Sequence, residues 1–284
     1  MPAPFSRLVR VARTGSTNAD LLAAAAADPG SWPHLSALVA DSQEAGRGRT
    51  GRPWVTPPGR ALTVSVLLRP RVPAAHLPWV TLLTGLAVRR ATSDLLGRPT
   101  VVKWPNDVLV VDGGEPDLPG WGRDRKVAGI LAEAVPAVPP GADDGGAPSE
   151  HRADDAARPA VVVGIGVNVA QSPGELPVPW ATSLRAAGAS VSVDAVLTAV
   201  GQHLAVVLDR WEAAAGDAGA AGLTAEVRTA CRTIGQVVRV DLPGGGALAG
   251  TAVDLDDAGR LLVRRPDGVL GAVAAGDVQH VRPA

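Results

Sequence analysis

The sequence predicts an α/β domain followed by a small β-barrel. Three observations carry this reading. Pro78 to Leu96 and Val193 to Trp211 are long segments with apolar residues at helical spacing. Several β-prone stretches stand ahead of and between them, among them Ala61 to Leu68, Val127 to Val135 and Ala160 to Val169. From Ile234 onward the texture changes, and short β segments alternate with glycine turns over about 50 residues.

In chain order, Asn18 to Ala27 reads as a helix, with Thr17 as its cap and Asp28-Pro29-Gly30 as its stop. Ser36 to Ala40 is a short apolar strand. Arg47 to Arg60 is rich in glycine and proline and reads as a long loop. Ala61 to Leu68 alternates apolar and small polar residues, the pattern of a half-buried strand. Val101 to Lys103 and Val108 to Val111 form a hairpin turning at Trp104-Pro105-Asn106-Asp107. Residues 136–159, rich in Pro, Gly, Ala and acids, lack the apolar content to order themselves and read as a disordered insertion in a hairpin. Asp112 to Asp124 is a shorter insertion of similar kind. Leu223 to Ala230 is a third, shorter helix. The last β segments are Val237 to Val240, Ala249 to Leu255, Leu261 to Arg264 and Val269 to Ala274. The domain boundary falls between residues 1–232 and 233–284.

Composition excludes several function classes. A formal charge of -1 gives no global field for nucleic acid or an anionic membrane. Cys231 is the single cysteine, so there is no internal disulfide framework and no multi-cysteine zinc site. The five histidines are scattered, with no pair at metal-ligand spacing. No apolar run reaches the roughly 18 residues that cross a bilayer, and the N-terminus has no signal-peptide pattern. The expectation is a soluble, cytoplasmic protein.

The residues that point to chemistry are the ones this chain uses least. It carries 25 arginines but only two lysines, Lys103 and Lys126, and only three asparagines, Asn18, Asn106 and Asn168. A lysine retained in such a chain is wanted as a compact ammonium that a planar guanidinium cannot replace. All five fall in short segments of unusual character. Gly46-Arg47-Gly48-Arg49-Thr50-Gly51-Arg52 sets three arginines among three glycines, a pattern that lets backbone and forked donors approach an anion. An RGG-like single-strand nucleic-acid segment and a solvated basic loop remain as other readings. Lys103, Asn106 and Asp107 group an ammonium, an amide and a carboxylate at a strand end, suited to a nucleotide phosphate and Mg²⁺ or to an ordinary turn. Lys126 opens an apolar strand and either faces a cleft, pairs with Glu133 or Asp124, or blunts a strand edge. Gly129, and Gly164 with Gly166, leave room for a flat ligand on a sheet or mark a bulge or tight packing. Ser16-Thr17-Asn18 is a helix cap with side chains to spare.

Taken together and in order, these segments resemble the catalytic domain of biotin protein ligases. The shared stretches are Gly15-Ser16-Thr17-Asn18 with Asp20, then Gln43-Glu44-Ala45 leading into Gly46 to Trp54. Lys103-Trp104-Pro105-Asn106-Asp107 follows, then Lys126 to Glu133, and Gly164-Ile165-Gly166-Val167-Asn168. The resemblance covers nearly the whole chain from about Val11.

It implies an α/β domain with a mixed sheet and flanking helices, of the class II aminoacyl-tRNA synthetase and lipoate ligase kind, and a C-terminal SH3-like barrel. It implies activation of biotin by ATP to biotinyl-5′-AMP, then transfer to a lysine of a biotin carboxyl carrier domain of an acyl-CoA or pyruvate carboxylase. By the same resemblance, Lys126, Arg49 and Asp107 carry catalysis. Ser16, Thr17, Asn18, Gln43, Gly46, Arg47, Gly48, Arg49, Lys126, Gly129, Gly164 and Gly166 line the biotin side. Trp54, Lys103, Asn106, Asp107 and Asn168 serve ATP, with Mg²⁺ held through its phosphates and Asn168 a candidate contact. The Ser-Thr-Asn motif starts too early for a preceding helix-turn-helix, so no DNA partner is expected. Lipoate ligation, ligand-dependent repression and RNA binding are the alternatives.

Overall fold

A computed structural model describes residues 4–113, 117–135 and 159–280. The insertion expected at 136–159 lies outside the described residues except for its last position.

The main layer is a seven-stranded sheet in the order β1-β2-β3-β7-β6-β5-β4. Its strands are β1 (Arg7–Thr14), β2 (Ser36–Gln43), β3 (Ala61–Leu68), β4 (Thr100–Lys103), β5 (Asp107–Val110), β6 (Arg125–Ala134) and β7 (Val161–Asn168). β1 and β2 run parallel and every other pairing is antiparallel, so the sheet is mixed. The expected hairpin of β4 and β5 is present, and β6 pairs with β7.

Helix α1 (Thr17–Ala27) covers part of one face, packing Leu21 and Ala25 on Leu38, Leu67 and Val162. Helices α2 (Trp79–Leu96), α3 (Val193–Ala213) and α4 (Leu223–Ala230) cover the other face in one continuous core. In β3 and β7 that second face is apolar: Val64, Val66, Val163, Ile165 and Val167 all lie in it.

The first face is different, and it positions the site. Beyond the reach of α1 it presents Thr63 and Ser65 of β3, paired with Gly166 and Gly164 of β7, which are paired in turn with Gly129 and Leu131 of β6. Apart from Leu131, these are small residues, and across three adjacent strands they make a shallow floor in the sheet.

Four details depart from the sequence reading. The cap of α1 is Ser16, whose Oγ accepts from the Ala19 N–H at 3.4 Å, because Thr17 is already helical and its side chain turns to Gln43. β1 has no counterpart in the reading. Arginines at 7, 10 and 13 obscure its alternation, and as an edge strand it is mostly exposed. β3 is buried at all eight positions rather than half-buried, since its polar residues face the cleft floor and α1, not open solvent. A fifth C-terminal strand also went unread.

The C-terminal residues form β8 (Val237–Asp241), β9 (Ala247–Leu255), β10 (Leu261–Arg264), β11 (Leu270–Val273) and β12 (Asp277–His280), an antiparallel sheet in the order β11-β10-β9-β8-β12. It is joined to the main domain by a shared core. Trp79 Nε1 donates to Asp257 O at 2.7 Å and Trp104 Nε1 to Gly259 O at 3.2 Å, while Val240, Leu255 and Val263 belong to the same apolar cluster as α2.

Candidate active site

The floor opens into a cleft of about 1000 Å³, at the upper end of small-molecule sites. All the sequence-predicted site residues except Gly46 line it directly. Gly46 lies at its rim and shapes it: a Cβ there would sit 2.4 Å from Trp54 O and 2.6 Å from Gln43 Nε2, so only glycine lets the loop close on β2.

At one end, α1 delivers polar groups to the floor. Gln43 Oε1 accepts from the Thr17 backbone N–H at 2.8 Å and from the Thr17 hydroxyl at 3.0 Å, which fixes the amide with Nε2 toward Gly46. Ser65 Oγ donates to Asn18 Oδ1 at 2.6 Å, and Asn18 Nδ2 donates to Glu133 Oε2 at 2.7 Å and to Leu131 O at 3.2 Å. Asn18 is therefore a buried strut, and Gly164 exists to admit it: a Cβ at Gly164 would meet Asn18 Oδ1 at 2.5 Å. The room at Gly164 is filled by Asn18 and not left for a ligand.

Over the middle of the floor lies the Arg47–Trp54 loop. An isolated bridge joins Arg47 and Pro53, Gly48 N–H donates to Arg52 O at 2.7 Å, and Trp54 N–H donates to Gly46 O at 2.8 Å. The Trp54 indole rests on Gly166, where a Cβ would lie 2.4 Å from the ring, and its buried Nε1 makes no hydrogen bond. Arg47 reaches Glu133 at 3.8 Å, Arg49 reaches Asn106 Oδ1 and Gly276 O at 3.5 Å each, and Arg52 forms an ion pair with Asp277. The loop is thus pinned between the main sheet and the C-terminal sheet. Asp277 carried no signal in the sequence, because only the packing of the two sheets brings it here.

Lys126 owes its direction to a β-bulge. β5 and β6 pair Val108 with Ala128 and Leu109 with Lys126, so Val127 is an extra residue on β6. Such a bulge re-aims the neighbouring side chain. Lys126 Nζ accordingly lies over Gly129, within 3.1 Å of where a Cβ would be. Its acidic partner is Asp107, with Nζ to Oδ1 at 2.6 Å, rather than Glu133 or Asp124; the latter pairs with Arg232. The ion pair lacks hydrogen-bond alignment, and buried Asp107 Oδ1 has no hydrogen-bond donor.

Lys103 stands on the far side of Asp107, 6% exposed, with Nζ 3.7 Å from the centroid of Trp121. Burial pushes its ammonium down to about 8, against the opposing pull of Asp107. Burial likewise draws the Arg49 guanidinium below its ordinary value. Asn168 is largely committed to the adjoining loop: Nδ2 donates to Thr182 O at 2.9 Å, and Oδ1 accepts from Gln171 Nε2 at 3.0 Å. Two tryptophans that the sequence reading passed over, Trp121 and Trp180, complete this end.

Three cations, Arg49, Lys103 and Lys126, thus converge on one cleft near Asp107, beside a flat floor rimmed by amide and hydroxyl groups. This arrangement suits two anionic groups brought together and one small polar ring held on the sheet.

Residues 12–140 match the Biotin/lipoate A/B protein ligase family, and residues 233–281 match the Biotin protein ligase C terminal domain. The chain is 38% identical to the biotin–[acetyl-CoA-carboxylase] ligase of Mycobacterium tuberculosis, across 96% of this chain and 88% of that one. It is 32% identical to the ligase of the same name from Paracoccus denitrificans, across 91% and 94%. Its fold superposes on the biotin protein ligase of Aquifex aeolicus in complex with biotin and ATP, with a TM-score of 0.68, 26% identity and coverage of 98% and 100%. The chain belongs to the biotin protein ligase family.

Proposed function

We propose that this chain activates biotin with ATP and transfers it to a lysine of a biotin carboxyl carrier domain. The observation that carries the reading is the meeting of the chain's only two lysines with Arg49 at one cleft, beside a floor of glycines. The two ligases named above and the Aquifex aeolicus complex with biotin and ATP support the choice of substrates.

In the first step a carboxylate oxygen of biotin bonds to the α-phosphorus and the bond to the bridging oxygen breaks, releasing pyrophosphate. Two anions must approach each other. Lys126 and Arg49 offset that repulsion and stabilise the charge growing on the phosphoryl oxygens. Asp107 holds the Lys126 ammonium in place. Ser16, Thr17, Gln43 and Arg47 are the proposed partners of the ureido ring, whose fixed donors and acceptor a matched site can select. Trp54, with its unpartnered Nε1, closes the site over the intermediate and excludes water, which would hydrolyse the mixed anhydride. In the second step the carrier amine attacks the acyl carbon and AMP leaves.

Mg²⁺ would be held mainly by the ATP phosphates, since no cluster of three or more His, Cys, Asp or Glu residues that could bind a metal occurs among the described residues. Asn168 Oδ1, which accepts one hydrogen bond from Gln171, keeps a lone pair for such an ion, while Asp107 Oδ1 is already paired with Lys126. Bound there, Mg²⁺ would neutralise charge on the phosphates. No helix among the described residues is long and apolar enough to cross a membrane. We place the boundary between catalytic and C-terminal domains at 232/233.

The test is incubation with ATP, Mg²⁺, biotin and a carrier domain, read by intact mass. One biotinyl addition on the carrier lysine is expected, and an unmodified carrier in the presence of folded protein rejects the reading.

The Lys103 ammonium gives a pH prediction. With its value lowered to about 8, the charge that would meet the phosphates is lost as pH rises through 8. The KM for ATP is expected to climb above pH 8, approaching about tenfold per pH unit. Lys103→Arg keeps its charge and should flatten that rise between pH 7 and 9.5. Folding stability moves the other way. The unfolded chain titrates near 10.5 and binds the proton more readily than the folded one, so this group's contribution to stability grows from pH 8 to 10.5.

A further inference from the structure

The connection between β5 and β6 lies outside every motif that carries the family resemblance, yet its apolar tip faces the cleft. Leu118-Pro119-Gly120-Trp121 has the type II turn signature: proline second, Gly120 third at φ +73°, and the Trp121 N–H donating to Leu118 O at 3.0 Å. Gly122, at φ +58°, then turns the chain back and donates to the same carbonyl at 2.7 Å. Asp124 N–H donates to Trp121 O at 3.2 Å, and Arg125 Nη1 to Gly122 O at 2.9 Å. The indole therefore stands on a fixed corner.

Facing it is Trp180, from a segment stitched to β6 on the other side. Lys126 N–H donates to Trp180 O at 2.8 Å, and Thr182 N–H donates to Lys126 O at 2.8 Å. The two indoles are nearly parallel, 10° apart with centroids 5.9 Å apart. The Lys103 ammonium rests 3.7 Å from the Trp121 centroid. Paired aromatic faces beside a nearly buried ammonium form the pattern that takes a flat base and an attached phosphate.

We propose that Trp121 is a nucleotide-positioning residue: with Trp180 it forms an aromatic wall for the purine base of ATP, and its ring holds the Lys103 ammonium where the phosphates arrive. A solvated loop in this place would need no proline-glycine corner and no tryptophan at its tip. The inference rests on the ATP-dependent reading above and adds to it a residue that the shared motifs do not contain.

The experiment measures biotinyl-AMP formation by wild type, Trp121→Leu and Trp121→Phe, varying ATP at saturating biotin and biotin at saturating ATP, with a thermal melt of each. Leucine keeps apolar bulk without a π face. The KM for ATP is expected to rise about tenfold in Trp121→Leu, the order lost with one aromatic–base contact. The KM for biotin should stay within about twofold, and Trp121→Phe should recover most of the loss. A folded Trp121→Leu with the wild-type KM for ATP overturns the proposal. So does a parallel rise in both KM values, which would mark general loosening of the site. Wild-type protein that makes no biotinyl-AMP overturns the ligase reading itself. Normal wild-type turnover beside an indifferent Trp121→Leu overturns the Trp121 role alone.

Discussion

Lys126→Arg is expected to fold normally and to form the adenylate at least about tenfold more slowly than wild type. The chain uses arginine 25 times, so a guanidinium is a charge it tolerates widely. At this position the space is set for an ammonium. Nζ fits between Asp107 Oδ1 at 2.6 Å and the empty Cβ position of Gly129 at 3.1 Å. A planar fork is wider and pairs side-on with a carboxylate. It would engage Asp107 and move away from the point where carboxylate and α-phosphate meet. Misplacement of about 1 Å can cost roughly a hundredfold in rate, and loss of a preorganised donor about 10²–10³. Tenfold is the floor because the charge itself is kept. Lys126→Ala should be slower still, and it leaves Asp107 without its counter-ion. A stopped adenylation assay at saturating biotin and ATP, beside a thermal melt, checks both. A wild-type rate in folded Lys126→Arg would remove Lys126 from the mechanism.

Gly166→Val should be as damaging by a different route. Valine suits a strand, and β7 is held on both sides by antiparallel partners, so the fold should persist. The cleft face cannot accept it. A Cβ at Gly166 would lie 2.4 Å from the Trp54 ring, closer than real Cβ contacts come, and valine adds two methyls beyond that. Trp54 must lift, and the loop bearing Arg47 and Arg49 moves with it. The ring floor is filled in the same stroke. Adenylation is expected to fall about a hundredfold, with the KM for biotin raised. Near-normal biotin binding by calorimetry in this variant would show that neither Trp54 nor the floor matters.

Much of this site was legible because of what the chain avoids. An arginine-rich composition makes Lys103 and Lys126 conspicuous, and the three asparagines mark α1, the β4–β5 turn and the end of β7. Their arrangement was less legible. The pairing of Lys126 with Asp107 depends on a bulge at Val127, and no local pattern announces an extra residue in a strand. Thr63 and Ser65 read as a solvent face because alternation reports polarity, not what covers it. Sequence leaves Gly164 as either room for a ligand or tight packing, and only the long-range contact with Asn18 decides for packing. Trp121 and Trp180 sit in proline- and glycine-rich stretches, where periodicity carries no information. β1 is broken by arginines, and its inner residues Val9 and Val11 are only partly buried against the α1 cluster, so its alternation is faint. The α/β domain and the terminal β segments were plain from texture alone, since α2, α3 and the glycine-spaced strands each repeat a period.

This cleft is expected to select biotin and couple it to ATP. The most direct test is pyrophosphate release from ATP and Mg²⁺ with biotin or lipoate as the only acid supplied, with the adenylate identified by mass. Biotin-dependent release with biotinyl-AMP as the product, and little release with lipoate, is the expected result. Equal or greater release with lipoate would contradict it.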